Sequence, residues 1–229
     1  MNLYTYMNPY TYMNQYTING ILNVKQNGDN TYTINKSTAS MGSKQDKIAS
    51  AIERAKQEIL EEGPIYDIIR LDTKTGFTYK DGENLAKHLC VMANHLLIEG
   101  YVIYSLSIKD IYVLNNSKYL FTNPDRCVPV TPSNKIVKPT SYDNGEFIAP
   151  ELVALNVAID RPVAKDSPVA KDSPIAIDKA AANWCIGKLI LNLLFKDDTK
   201  LHLIKDTSLY YFINRCLDKK VELREVLYM

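Results

Sequence analysis

Apolar residues surround nearly the whole circumference of one segment, residues 183–195, and line only one stripe of the others. Trp184, Ile186, Leu189, Ile190, Leu193 and Leu194 recur there at helical spacing, which predicts a core helix covered on most sides. A membrane span needs roughly 18 or more apolar residues. This run is shorter and is interrupted by Lys188 and Asn192, so a core helix is the better reading. Ser43 is placed to cap a helix over residues 43–62, with Ile48, Ile52, Ala55 and Ile59 on one stripe and Gly63-Pro64 as its stop. Residues 84–99 form a second amphipathic helix, with Leu85, Leu89, Met92, Leu96 and Leu97 inward. Ser208 can cap a helix over residues 209–217, and a short final helix carries Leu223, Val226 and Leu227. Residues 65–71 and 76–79 read as a β-hairpin, residues 111–114 and 119–122 as two short strands, and residues 123–145 as a polar loop. The sum is an α+β fold, mostly helical.

Two stretches depart from these periods by repeating every six residues. The first runs Tyr4-Thr-Tyr-Met-Asn, Tyr10-Thr-Tyr-Met-Asn, Tyr16-Thr-Ile-Asn, and its low complexity predicts a flexible tail over residues 1–42. The first two copies offer Tyr-x-x-Met and Tyr-x-Asn, patterns that phosphotyrosine-reading domains bind, although replication slippage produces the same copies. The second starts a unit with Pro162, Pro168 and Pro174 and has no apolar face, which predicts an exposed linker loop inserted at residues 158–178.

Composition narrows the partners. A net charge of +1 over 229 residues gives no electrostatic footprint for nucleic acid or for an anionic membrane surface. Cys90, Cys127, Cys185 and Cys216 lack zinc-like spacing and three fall in apolar helical patterns, so reduced, buried thiols are expected. No basic-then-apolar leader is visible at the start, so cytoplasmic residence is expected. His88, His95 and His202 have no adjoining ligand or catalytic pattern and read as structural or solvent-facing. No metal site is expected.

The order of elements and three motifs resemble the C-terminal lobe of the eukaryotic-type protein kinase family. Ala149-Pro150-Glu151 is similar to the motif that closes the kinase activation segment. Residues 183–187, with Trp184 and Gly187, resemble the Asp-Val-Trp-Ser-Leu-Gly that opens the family's central helix, with Ala182 at the aspartate. Residues 212–217 followed by Arg224 resemble its penultimate helix and the arginine beyond. The resemblance implies a buried ion pair between Glu151 and Arg224. It covers residues 83–229 as a kinase-like C-terminal lobe, and leaves residues 43–82, a helix plus hairpin, as the remnant of a reduced N-terminal lobe.

The same alignment implies that the chemistry is dismantled. Residues 105–113 lie without a gap against Asp-Leu-Lys-x-x-Asn-Ile-x-Val, through to Asn123 at the Asp-Phe-Gly position. Ser105 then stands at the catalytic aspartate, Ser107 at the catalytic-loop lysine, Asp110 at the magnesium-binding asparagine and Asn123 at the magnesium-binding aspartate. A serine does not accept the substrate hydroxyl proton as a carboxylate does. No Gly-x-Gly-x-x-Gly and no Val-Ala-x-Lys strand precede the helix at Ser43, so neither ATP nor Mg²⁺ is expected as a cofactor. Thr131, Ser133, Thr140, Ser141 and Tyr142 lie in the activation-segment equivalent and are candidate phosphate acceptors.

The expectation is therefore a catalytically inactive, truncated pseudokinase that works by binding a protein partner, as scaffold or decoy, the partner being another kinase or its substrate. Two alternatives stand beside it: an atypical serine/threonine kinase that binds ATP and uses Asp110 as its base, and a helical adaptor unrelated to kinases. The Asn, Lys, Ile and Tyr richness and the duplicated hexads suggest an AT-rich genome, such as those of large DNA viruses.

Overall fold

The structure is a computed structural model that describes residues 15–18, 22–26, 31–35, 43–60, 66–130, 135–136, 146–153, 177–178 and 180–224. Three strands come first, β1 (Gln15–Ile18), β2 (Leu22–Gln26) and β3 (Thr31–Asn35). Each pairs antiparallel with the next, Thr17 facing Asn23 and Val24 facing Ile34. These residues were expected within a flexible tail; part of that segment is instead sheet. Alternation explains it, since Val24 is fully buried while its neighbours Asn23 and Lys25 are only partly so. Residues 1–14, which carry both Tyr-Thr-Tyr-Met-Asn copies, lie outside the described residues.

Helix α1 (Lys44–Ile59) begins with a capping box at Ser43, whose Oγ accepts the Asp46 N–H at 3.2 Å while the Asp46 carboxylate accepts the Ser43 N–H at 2.9 Å. Ile48, Ile52, Ala55 and Ile59 form its buried stripe. Strand β4 (Tyr66–Arg70) pairs with β3 on one side, and on the other with β7 (Ile111–Leu114), so that Ile68 faces Leu114 and Arg70 faces Tyr112. The expected hairpin of residues 65–79 is thus corrected: its first arm is a strand of a larger sheet, and its second arm is no strand. Gly76 turns the chain at φ +68°, and Thr78 caps helix α2 (Tyr79–Ile98), five residues earlier than the apolar period alone suggested. Strand β8 (Lys118–Phe121) completes a six-stranded antiparallel sheet in the order β1-β2-β3-β4-β7-β8. That sheet crosses the boundary expected near residue 82.

Helices α1 and α2 pack together, joined at the surface by Arg54 with Glu99 and by Glu58 with His95 at 2.9 Å, while α2 also lies against β8. Short strands follow α2. β5 (Tyr101–Ile103) pairs with β9 (Cys127–Pro129), and β6 (Ser105–Leu106) pairs with β11 (Phe147–Ile148). β10 (Lys135–Ile136) pairs with β12 (Ile177–Asp178). β9 and β10 correct the reading of residues 123–145 as loop throughout. The remainder of the repeat loop at 158–178 lies outside the described residues.

Helix α3 (Ala181–Phe195) buries Ala181, Ala182, Cys185, Ile186, Gly187, Leu189, Ile190 and Leu191, and packs on α2 and on α4 (Ser208–Cys216), which Thr207 caps. Asn192 is exposed and Lys188 half-buried, which places the polar residues of the apolar run on the one uncovered side. Buried side chains of the four helices, of β1, β2, β4, β7 and β8 in the large sheet, and of β5, β6, β9 and β11 form one hydrophobic cluster. Among the described residues no helix is long and apolar enough to cross a membrane.

Candidate functional site

The hairpin of β7 and β8 assembles the site. Asn115 and Asn116 take positive φ, 48° and 59°, the left-handed pair of angles that lets two strands reverse tightly. The Asn115 side chain also accepts the Asp67 N–H at 2.9 Å, fixing the turn to β4. With Ile111 facing Phe121, the residues just beyond the ladder come together, and Asp110 accepts the Thr122 N–H through its carbonyl at 3.0 Å. Asn123, the next residue, donates from Nδ2 to Asp110 Oδ1 at 2.8 Å. Two residues 13 apart in sequence thus meet side chain to side chain.

A third residue, absent from the sequence reading, completes the cluster. Asn123 caps a 3₁₀ turn, Pro124–Arg126, accepting the Asp125 N–H at 3.0 Å, and the turn swings Arg126 inward. Arg126 Nε donates to Asp110 Oδ2 at 3.1 Å and its Nη1 approaches Ser105 Oγ at 3.5 Å. Arg126 and Asp110 are 6% and 8% exposed, so the pair is shielded from water. The Arg126 carbonyl accepts the Tyr104 N–H at 3.0 Å, beside Ser105. The available signal was a lone arginine directly after Asn-Pro-Asp, on a turn that a capping asparagine starts.

Ser107 does not join this cluster through its hydroxyl. Its Oγ accepts the Lys109 N–H at 3.3 Å and caps the 3₁₀ turn Ile108–Asp110, whose first N–H donates to Glu146 Oε2 at 3.3 Å. The structure therefore brings together Ser105, Asp110, Asn123 and Arg126, with Ser107 adjoining.

The second group of expected residues lies where α3 meets the chain end. Arg224, 1% exposed, donates from Nη1 to Glu151 Oε1 at 2.7 Å and from Nε to the Asp218 carbonyl at 2.8 Å. Its own carbonyl accepts from Asn183 Nδ2 at 2.6 Å. Ala149 is fully buried, whereas Pro150 is exposed and opens the helical turn at residues 150–153, a position that asks no N–H of it. Trp184 is half-buried against the core and Gly187 faces Cys216. Ala182 is buried and contributes no polar group, but one turn on, Cys185 Sγ donates to the Tyr104 carbonyl at 3.5 Å. The central helix thus reaches the backbone beside Ser105 through a thiol.

The histidines are structural in placement. His88 is buried and its Nδ1 accepts the Tyr119 N–H at 3.2 Å; burial, with Lys118 and Lys87 near, lowers its pKa to about 4. His95 meets Glu58, and His202 lies exposed. Burial pushes the thiols of Cys90, Cys127 and Cys185 up to about 12, and that of Cys216 well above its ordinary value. Thr131, Ser133, Thr140, Ser141 and Tyr142 lie outside the described residues.

No protein-family profile matches the sequence, and no curated protein matches it. Among solved structures, the kinase domain of a Toxoplasma gondii specific rhoptry antigen is similar, with a TM-score of 0.45 and 13% identity over 88% of this chain. The match takes in 54% of that chain, so this protein spans about half its length.

The donor set does not suit a hard divalent cation, which requires several free oxygen lone pairs. Both Asp110 carboxylate oxygens already accept N–H donors, the Asn123 carbonyl oxygen accepts a backbone N–H, and a guanidinium stands beside the carboxylate. No group of three His, Cys, Asp or Glu side chains that could hold a metal occurs among the described residues.

Proposed function

We propose that the protein is a kinase-like fold emptied of phosphoryl-transfer chemistry, which acts by binding another protein as scaffold or decoy. The observation that carries this reading is the state of Asp110. In kinases a catalytic-loop aspartate accepts the substrate hydroxyl proton, and an asparagine and an aspartate hold the metal. In the matching places stand Ser105, Asp110 and Asn123. Asp110 is the one carboxylate of the four-residue cluster, and both its oxygens are committed to Asn123 and Arg126. The cluster therefore offers a substrate hydroxyl no base.

The contact between Glu151 and Arg224 favours a kinase lobe over an unrelated helical adaptor. These residues are 73 positions apart and are the two that the family resemblance pairs. The partner that suits the reading is another kinase or a kinase substrate.

The test is a thermal-shift titration with ATP and Mg²⁺, run beside transfer of radiolabelled phosphate to a generic protein substrate. Neither a shift nor transfer is expected. A clear shift with transfer that disappears in Asp110→Ala would overturn the proposal in favour of an active enzyme.

A further inference from the structure

The site lacks a base, yet it keeps a buried carboxylate, Asp110. An unpaired carboxylate that is 8% exposed is costly, because burial removes hydration without replacing it. In a kinase the asparagine at this place binds a metal ion. Here the position facing Asp110 is taken by a side chain of the same polypeptide. We infer that Arg126 is the site's resident cation: its guanidinium occupies the place of a metal ion between Ser105 and Asp110, and so holds the dismantled loop in one conformation.

Four observations converge on it. Arg126 presents Nε to Asp110 Oδ2 at 3.1 Å and Nη1 to Ser105 Oγ at 3.5 Å, so one cation bridges the two ends of the 105–110 loop. Asn123 closes the other carboxylate oxygen at 2.8 Å. The backbone of Arg126 is itself fixed, its carbonyl accepting the Tyr104 N–H at 3.0 Å and its N–H donating to the Asn123 carbonyl at 3.3 Å. The arginine stem is buried with its head, so the group cannot swing into water without opening the turn at Pro124–Arg126. A planar, permanently charged fork holds such a bridge where a lysine would offer only a point charge.

This inference rests on the functional reading, and its consequence is specific: removing the guanidinium should free Asp110 Oδ2 and Ser105 Oγ, the two oxygens it now holds, to bind a cation weakly with water as the remaining ligands. The experiment uses the full chain, with Arg126→Met, Asp110→Asn and the double variant, each melted with and without millimolar MgCl₂ or MnCl₂. Arg126→Met should melt about 10 °C lower than the parent, since it strands a buried carboxylate. The metal ion should restore part of that loss. The double variant should recover most of the parent's stability and ignore the metal, as should the parent itself.

An Arg126→Met variant as stable as the parent overturns the inference, and so does a metal shift no larger than in the double variant. Should Arg126→Met fail to fold, the double variant decides alone: folded supports the inference and unfolded overturns it. Phosphoryl transfer by the parent chain would sink the functional reading and leave these melting results standing.

Discussion

A Cβ placed on Gly187 would lie 2.5 Å from the Cβ of Cys216, closer than real Cβ contacts come. Helices α3 and α4 approach each other through that absence of a side chain. Gly187→Ala should gain a little helix propensity yet destabilise by about 1–3 kcal/mol, because the helices must part. Urea denaturation measures it, and a stabilised variant would refute the close approach. His88 carries a pH prediction. The unfolded chain binds a proton on this side chain near pH 6.5, while the folded chain refuses it until about pH 4. Stability is therefore full above pH 6.5 and falls as pH drops towards 4, by roughly 3 kcal/mol from this group. His88→Gln, whose amide oxygen can accept the same Tyr119 N–H, should flatten that slope in urea midpoints taken across the window. At this scale the sequence made Asp110 and Asn123 visible as neighbours, since a gapless register predicts their meeting across one hairpin. Arg126 was not visible, because its partner is 16 residues away and meets it only after the turn at Asn115-Asn116 has formed.

Helix α2 starts where four polar groups converge. Thr78 and Asp81 form a capping box, and Asp81 Oδ1 also accepts the hydroxyl of buried Tyr119 at 2.7 Å and lies 3.4 Å from Lys74 Nζ. Burial raises the Asp81 pKa, but the bonds from Thr78 and Tyr119 and the charge of Lys74 outweigh it, leaving the carboxyl below its ordinary value. The helix start is thus tied to β8 as well as capped. Thr78→Ala should cost about 1 kcal/mol, the usual value of a cap. Asp81→Ala should cost about 2–4 kcal/mol, because it also leaves the Tyr119 hydroxyl buried without that partner. Equal losses in the two variants, read from denaturation midpoints, would show that the tie to the sheet contributes nothing. Elements with a 3.6-residue apolar period were legible: α1, α2, α3 and α4 all fall near their expected places. Strands fared worse. Low complexity hid the alternation of β1 to β3, and Phe77 and Tyr79 imitated a strand where Thr78-x-x-Asp81 was the helix signal.

For the whole molecule, the decisive feature is the ladder between β4 and β7. Kinases close two lobes around a ligand by hinge motion. Here Ile68–Arg70 are paired with Tyr112–Leu114, so residues from both sides of the expected division share one sheet, and their side chains share one core. That pairing joins positions far apart in sequence, which is why no local pattern announced it. The chain should therefore unfold in one cooperative step instead of two. All four thiols are buried, in α2, β9, α3 and α4, and burial raises each pKa, so none offers reactive thiolate while the fold is closed. The protein thus carries four clocks of its own opening. Incubated with an excess of a thiol-alkylating reagent and weighed at intervals, it should split into molecules bearing no label and molecules bearing four. A ladder of singly and doubly labelled species would instead reveal a part of the fold that opens alone.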